Sequence, residues 1–597
     1  MTAPGLGPIV RPDERNQPSA GRLMSTATNN ARPSFNPARG LSAVLDYASA
    51  THRRACGLLI VFSLIAFLPG FFQIPPVDRD EPRFAQATKQ MLESGQYIDI
   101  HFQDEVRYKK PVGIYWLQAM AVKAGEAVGV PQARTTIWLY RLPSLFGAIG
   151  AVLLTYWAAL AFVTRRTALL AALMMASSVL LGVEARLAKT DAMLLFTSVA
   201  AMGALARIYL MSRRTPNAAV GWQLPAILWT AMAAGVLIKG PLILMFVGLT
   251  ALALSIADRS GRWIWSLRPV AGFAWLIVLV LPWFVAILAK SGGSFIAQSV
   301  GDDMLSKVVG GQESHGAPPG LYFVLFWVTF WPGSILAGLA APQVWQARHE
   351  PGARFLLAWL LPSWAVFEAV ITKLPHYVLP LYPAIAILIA GILEGRGLST
   401  KRWLVRGTAG WFIFPTVIAI GVVVIFIVVG RDLGFVAWPF AAAAAIFGLF
   451  AWWLYDVDGA ERALLRGMVA SVLIAITVYA VTFPSLPALF PSAVIADELR
   501  TSGCAQPQVA STNNYQEPSL VFLLGTDTRF TDGTGAAIFL GQRPCRFALI
   551  DTRNAGNFGQ RANSIGLRYS LSQRVDGYNI SIGRPVSLSV FRSMENP

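Results

Sequence analysis

Long apolar runs recur along this chain. From Gly57 to about Phe483 there are about thirteen stretches of bilayer-crossing length, which needs roughly 17 to 25 mainly apolar residues each. They lie near 57–74, 140–163, 166–183, 190–210, 222–238, 240–257, 269–289, 320–341, 353–372, 376–394, 405–430, 435–455 and 466–483. With 55% hydrophobic and 14% charged residues over 597 positions, the chain has too few charges to solvate soluble domains of that size. A polytopic α-helical membrane protein is expected.

Lys and Arg alternate between the connecting segments, which supplies orientation independently of hydropathy. Arg53/Arg54, Arg165/Arg166, Arg213/Arg214, Arg259/Arg262/Arg268, Arg348/Arg354 and Arg396/Lys401/Arg402/Arg406 fall on one side, the cytoplasmic one. An odd number of spans then puts everything after Phe483 on the opposite face. The net charge of +17 is accounted for by this topology signal and by attraction to anionic lipid, so no nucleic-acid partner is expected. Three regions follow: a disordered cytoplasmic tail over 1–50, a transmembrane domain over 51–483 whose first extracytoplasmic loop is 75–139, and an extracytoplasmic domain over 484–597. Short apolar runs at Gln508–Ser511, Leu520–Leu524, Phe547–Ile550 and Val586–Phe591 predict a small α/β fold for the last region. Cys504 and Cys545 both fall there, outside the cytoplasm, where a disulfide persists. Cys56 reads as a small apolar residue.

The charges that remain gather on the extracytoplasmic face. Asp80, Glu81 and Arg83 follow the first span, and a carboxylate at helical i, i+3 spacing from an arginine joins a base to a phosphate grip. Arg107, Tyr108, Lys109 and Lys110 come about thirty residues later, before Val112–Val130, a stretch suited to an interfacial helix. Glu184, Arg186, Lys189 and Asp191 stand at one turn and Lys239 at another, where ionisable groups face a cavity or a partner because burial in lipid is costly. Lys239 at a tight turn would equally cap helix carbonyls. Glu313, His315 and Thr372-Lys373-Leu374-Pro375-His376-Tyr377 add polar groups on the same side. No Walker loop, dinucleotide fingerprint or Cys/His zinc spacing occurs, which excludes a nucleotide-driven pump. A transporter or flippase would place charges near span centres, and these sit at span ends.

The order Asp80-Glu81-x-Arg83, Arg107-Tyr108, Lys110-Pro111 with Tyr115-Trp116, Asp191, Lys239-Gly240, Leu281-Pro282-Trp283, His315 with Ala317-Pro318, and Lys373-Leu374-Pro375-x-Tyr377 resembles the aminoarabinose (lipid A) transferase branch of the protein-mannosyltransferase-like superfamily. The resemblance implies a GT-C glycosyltransferase fold in a bacterial inner membrane, with the active site facing the periplasm. It implies an inverting transfer of a hexose or pentose from an undecaprenyl-phosphate-linked donor to a lipid A-like lipid or an envelope glycan. A protein O-mannosyltransferase of the same fold is the alternative, and the short 290–319 loop leans toward a lipid acceptor. Carried over by position, Asp80 and Glu81 are the catalytic carboxylates. Arg83, Tyr108, Lys110, Lys239 and Tyr377 bind the donor phosphate, while Lys109, Asp191, His315 and Lys373 line the cavity. Relatives commonly carry a glutamate before the lysine of the Lys-Pro pair, where it joins a metal site with the histidine. Here Lys109 stands there, and a protonated lysine offers no lone pair to a divalent metal. No metal and no required cofactor are therefore expected, and the extra cation argues against a cationic sugar. The expected assembly is a monomer.

Overall fold

The computed structural model describes residues 37–214, 221–299, 301, 316–395 and 397–594. Helices coincide with each expected apolar stretch. Among the described residues, seven are long and apolar enough to cross a membrane: Ile137–Ala159, Asp191–Arg214, Pro269–Ser291, Pro375–Gly395, Arg402–Gly430, Phe435–Trp453 and Ala460–Thr482. The others are shorter, interrupted or less apolar. Ser178 takes an extended conformation and splits the third stretch into Arg165–Ser177 and Val179–Glu184. The stretch expected at 320–341 is divided into Leu321–Thr329 and Gly333–Gln346 around Pro332.

The tail expected to be irregular through residue 50 is instead helical from Pro37 to Ser49 (α1). Leu41, Leu45 and Ala48 recur at i, i+4 and i+7, and this stripe packs on the bundle, with Leu45 and Ala48 buried. Residues 1–36 lie outside the described set. α1 leads into α2 (His52–Phe67), whose first turn is capped by the Thr51 hydroxyl accepting from the Arg54 N–H at 3.2 Å.

The arginine-bearing turns converge on one end of the bundle. Arg166 bonds Asp46 at 2.6 Å and Glu461 at 2.7 Å, and Asp258 gathers Arg354, Arg213 and the Tyr209 hydroxyl. These pairs tie distant loops together at the end assigned to the cytoplasm, as the charge pattern requires.

At the other end, α3 (Asp80–Ser94) is followed by a two-stranded hairpin, β1 (His101–Phe102) with β2 (Glu105–Val106), and by α4 (Gly113–Ala127). α4 is the helix expected over Val112–Val130. Its Gly113 lies so close to α9 (Gln223–Lys239) that an added Cβ would sit 2.7 Å from the Leu237 carbonyl oxygen. The Lys-Pro pair before α4 is thereby brought to the end of α9. Between them in sequence run α5 (Ile137–Ala159), α6 (Arg165–Ser177), α7 (Val179–Glu184) and α8 (Asp191–Arg214).

The C-terminal region is the expected α/β domain. Its sheet has the order β4-β3-β5-β7-β6, from β3 (Gln508–Thr512), β4 (Arg529–Thr531), β5 (Arg546–Asp551), β6 (Tyr569–Asn579) and β7 (Arg584–Ser593). β4, β3 and β5 are parallel, while β7 and β6 add antiparallel edges. Every residue of β5 is buried, as expected of a strand covered on both faces. Cys504 and Cys545 are bridged, with Cα atoms 5.6 Å apart.

This domain is bolted to α3. Lys89 donates to the Phe522 carbonyl at 3.0 Å, Gln86 to the Thr526 hydroxyl at 2.8 Å, and Gln103 to the Thr526 and Thr528 carbonyls at 3.0 and 2.7 Å. Asp78 reaches further: its carboxylate accepts from the Ser519 N–H at 2.9 Å and from the Ser519 hydroxyl at 2.5 Å.

Candidate active site

Two kinds of position carry the site: the first turn of α3, and the ends of α7, α8 and α9 that face it. α3 starts at Asp80, which is exposed, while Glu81 beside it is buried. An acidic first turn suits the positive end of the helix dipole. The two carboxylates then diverge. Glu81 accepts from Arg141 Nε at 2.7 Å and Nη2 at 2.9 Å, from the Val77 N–H at 2.8 Å and from the Ala188 N–H at 2.9 Å. Arg141 donates further to the carbonyls of Phe71, Ile74 and Pro75. Both oxygens of Glu81, expected as a catalytic carboxylate, are thus taken by donors that hold the start of α3.

Opposite Asp80 lies a buried charge cluster. Lys239 at the end of α9 bonds Asp191 at the start of α8. Lys189 bonds Glu184 at 3.1 Å and lies 4.0 Å from Asp191. The His376 ring bridges the two carboxylates, with Nδ1 3.7 Å from Glu184 and Nε2 3.6 Å from Asp191. The ammonium of Lys239 stands 5.5 Å above the Tyr377 ring. Asp191, Lys239 and Tyr377 are thus gathered around one centre, while the Lys110 ammonium donates to the Lys109 carbonyl at 2.9 Å and Asp80 is exposed at the start of α3. Glu184, Lys189 and His376 belong with them, although in the sequence they are only charges at span ends.

Other expected members stand elsewhere. Tyr108, expected at the donor phosphate, is buried and donates its hydroxyl to Asp99 at 2.7 Å. Burial, with that bond, pushes the phenol up to about 12, while Tyr108 and His101 together hold the Asp99 carboxyl below its ordinary value despite its burial. Lys373, expected in the cavity, turns back to cap the helix Pro351–Ala369, donating to the carbonyls of Glu368 at 3.0 Å and Val370 at 2.5 Å. The capping role considered for Lys239 therefore belongs to Lys373. Lys109 is exposed. Arg83 lines, with Arg79, a polar cleft beneath the C-terminal domain. Glu313 and His315 lie outside the described residues.

Glu184, Asp191 and His376 bring potential ligand atoms within 4.8 Å of one another. Lys189 and Lys239 each bond one oxygen of these carboxylates, while Glu184 Oε2 is buried with no hydrogen-bond partner among the described residues. An apolar groove of about 440 Å³ lies between α4 and α5, with Leu117, Trp138, Leu142, Phe146 and Met193 among its lining residues.

Residues 58–293 match the family described as Dolichyl-phosphate-mannose-protein mannosyltransferase. The chain is 30% identical over 357 residues to the undecaprenyl phosphate-alpha-4-amino-4-deoxy-L-arabinose arabinosyl transferase of Pseudomonas paraeruginosa, covering 58% of this chain and 61% of that one. It is 26% identical over 359 residues to the protein of that name from Pectobacterium atrosepticum, covering 58% and 60%. The alignment thus spans about three fifths of the length of these relatives. Among solved structures, ArnT from Cupriavidus metallidurans in the apo state superposes with a TM-score of 0.67 at 17% identity, over 93% of this chain and 98% of that one. ArnT from the same organism bound to undecaprenyl phosphate gives a TM-score of 0.67 at 18% identity, over 89% and 97%. The fold is that of the ArnT structures, and the resemblance carried by the motif order is borne out.

Proposed function

We propose that the protein is an inverting glycosyltransferase. It moves a sugar from an undecaprenyl-phosphate-linked donor to a lipid or envelope-glycan acceptor at the periplasmic face of a bacterial inner membrane. The observation that carries this reading is the buried cluster of Lys239 with Asp191 and Lys189 with Glu184 at the ends of α7, α8 and α9, in a bundle that also holds an apolar groove between α4 and α5 and exposes Asp80 at the start of α3. A polyprenyl-phosphate sugar has the matching parts: an apolar tail, a phosphate at the membrane boundary and a sugar beyond it. The alignment with named arabinosyl transferases and the fold of a transferase crystallised with undecaprenyl phosphate support the same donor class.

In this reading the tail lies along the groove between α4 and α5, and the phosphate is held by Lys110 and Lys239 with Tyr377 against it. An acceptor oxygen attacks the anomeric carbon from the face opposite the phosphate. The new C–O bond forms as the sugar–phosphate bond breaks, and the bonding pair leaves with the polyprenyl phosphate. Asp80 takes the proton of an acceptor hydroxyl, or orients the acceptor if the attacking oxygen is already anionic. Fixed cations near the leaving oxygens stabilise the charge that grows there, the term that usually dominates such sites. In the resting arrangement Asp191, Glu184 and His376 hold Lys239 and Lys189 in place, which keeps buried ammonium groups paired until phosphate arrives. No step calls for a metal.

Purified protein in nanodiscs should bind undecaprenyl phosphate, and Lys110→Ala and Lys239→Ala should each weaken that binding. A wild-type protein that does not bind undecaprenyl phosphate removes the reading.

A further inference from the structure

At the end of the bundle assigned to the cytoplasm, many arginines meet carboxylates of the chain: Arg166 meets Asp46 and Glu461, Arg213 and Arg354 meet Asp258, and Arg462 and Arg466 meet Asp458. Lys401, Arg402 and Arg406 differ. All three are exposed, and none makes an ion pair among the described residues. Three like charges within six residues repel one another, and at a membrane edge the counter-charge at hand is a lipid phosphate.

The fold holds these cations in a fixed place. The helix Arg402–Ala409 opens the apolar span Arg402–Gly430, so its first turns stand where the hydrocarbon ends. Leu404 and Val405 pack on the bundle core. Thr408 comes so close to the helix Gly333–Gln346 that a Cβ on Gly338 would lie 2.7 Å from its methyl group. The Ser399 N–H donates to the Leu339 carbonyl of that same helix at 3.1 Å. Arg402 and Arg406, four residues apart, share the side left open, and Trp403 beside them is exposed. An exposed indole suits the boundary between headgroups and acyl chains. Two residues beyond the end of Gly333–Gln346, the Arg348 guanidinium stands 4.9 Å over the ring of Trp345, a second exposed indole.

Further along the same span the surface is apolar. Ile413, Val417, Ile420 and Val424 are all exposed, and their steps of four, three and four residues describe one helix face. From Ile413 to Val424 that face runs about 16 Å, close to half of the roughly 30 Å hydrocarbon core. The steps from Arg402 to Arg406 and on to Ile413, four and seven residues, keep to it. The tighter 3-10 turn Gly410–Ile413 shifts it by less than about a quarter turn. Cations, an indole and an apolar track one leaflet long therefore follow one another down one side of the span.

We propose that this face binds an anionic phospholipid of the cytoplasmic leaflet. The lipid phosphate lies between the guanidinium groups of Arg402 and Arg406, each able to offer it paired N–H donors, and Lys401 adds a third charge. The glycerol backbone meets Trp403, and one acyl chain follows Ile413, Val417, Ile420 and Val424. The ligand is thus a phosphate joined to an apolar tail, with the cations taking the first and the stripe the second. The site stands at the opposite end of the bundle from Asp191 and Lys239, so it goes beyond the transferase reading and does not depend on it.

The test uses the full chain, delipidated in a neutral detergent, with native mass spectrometry to count bound lipids. The probes are phosphatidylglycerol, phosphatidylcholine of the same chain length, and glycerol 3-phosphate. R402A/R406A removes two exposed cations from the site, and R53A/R54A removes two exposed cations elsewhere at the same end. Wild-type protein should bind its first phosphatidylglycerol at least about tenfold more tightly than phosphatidylcholine. R402A/R406A should lose that preference while R53A/R54A keeps it. Equal loss in the two variants would show a diffuse positive field in place of a site, and overturns the proposal. So does a preference that survives in R402A/R406A, a wild-type protein with no preference, or glycerol 3-phosphate displacing the lipid at equal concentration.

Discussion

Glu81 and Arg141 lie 60 residues apart and meet as a two-pronged ion pair, at 2.7 and 2.9 Å, with both side chains shielded from solvent. The pair pins the start of α3 to α5. Breaking a buried pair by removing one partner leaves the other charge uncompensated and costs ~3–5 kcal/mol. Glu81→Gln and Arg141→Ala should therefore lower thermal stability in detergent strongly, while the fraction that folds keeps its affinity for undecaprenyl phosphate. A Glu81→Gln protein of wild-type stability that has lost only turnover would return this residue to the chemistry.

Asp80→Asn should behave in the opposite way. The side chain is exposed and its removal leaves no buried charge, so thermal unfolding should stay near wild type while turnover falls by about 10² to 10⁴, the usual contribution of a positioned proton acceptor. Steady-state transfer with wild-type kcat in this variant would take Asp80 out of the mechanism.

For the Lys239–Asp191 pair the informative quantity is the coupling. Lys239→Ala should weaken undecaprenyl phosphate binding by about 1.5–3 kcal/mol, the value of a charge-assisted hydrogen bond. Asp191→Asn should destabilise by removing the partner of a buried ammonium. Because the two side chains touch, the stability loss of the double variant should be well short of the sum of the single losses, and a strictly additive result would separate them.

Much of this was legible before any coordinates. Charges are scarce in an apolar chain, so Asp80, Lys110, Asp191 and Lys239 announce themselves by the cost of keeping them there. What sequence does not reveal is the partner each charge finds. Arg141 hides at the start of an apolar span, and nothing local ties it to Glu81. Lys239 and Lys373 both end helical segments, and only the fold shows that one pairs with Asp191 while the other caps carbonyls. Tyr108 stands among cations like a phosphate ligand, but Asp99, nine residues earlier, takes its hydroxyl. The helix Pro37–Ser49 was missed because its Pro, Arg and Gly resemble the preceding tail, although Leu41, Leu45 and Ala48 already form a stripe. The thirteen apolar stretches emerged clearly, since hydropathy is local; the break at Pro332 is local too, a proline lacking the helical N–H, whereas nothing in the residue types marks the break at Ser178.

Asp78 makes the domain contact sensitive to pH. Burial, with the charge of Glu517 nearby, pushes its carboxyl up to about 7 against the opposing hydrogen bonds from Ser519. The folded protein holds this proton more tightly than the unfolded chain does. The stability linked to it is therefore full below the ordinary carboxyl range near pH 4, and it is lost as pH rises toward 7. Thermal stability should accordingly decline across that window and level off above it. Asp78→Asn, which cannot ionise, should flatten the decline; an unchanged slope in the variant would exonerate Asp78.

Chelation tests the charge cluster. With Lys239 on Asp191 and Lys189 on Glu184, transfer should survive EDTA followed by gel filtration. Loss of activity that one added divalent ion restores would mean that the lysines yield these carboxylates to a metal.

The bonds from Ser519 to Asp78 span 441 positions of sequence. During synthesis the segment just before α3 is made early and then waits while nearly the whole bundle is inserted, because the donor that meets it is among the last to be translated. A chain stopped before Pro518 would leave the Asp78 carboxylate without both donors that Ser519 supplies, so this seam between the bundle and the C-terminal domain closes only as translation nears its end.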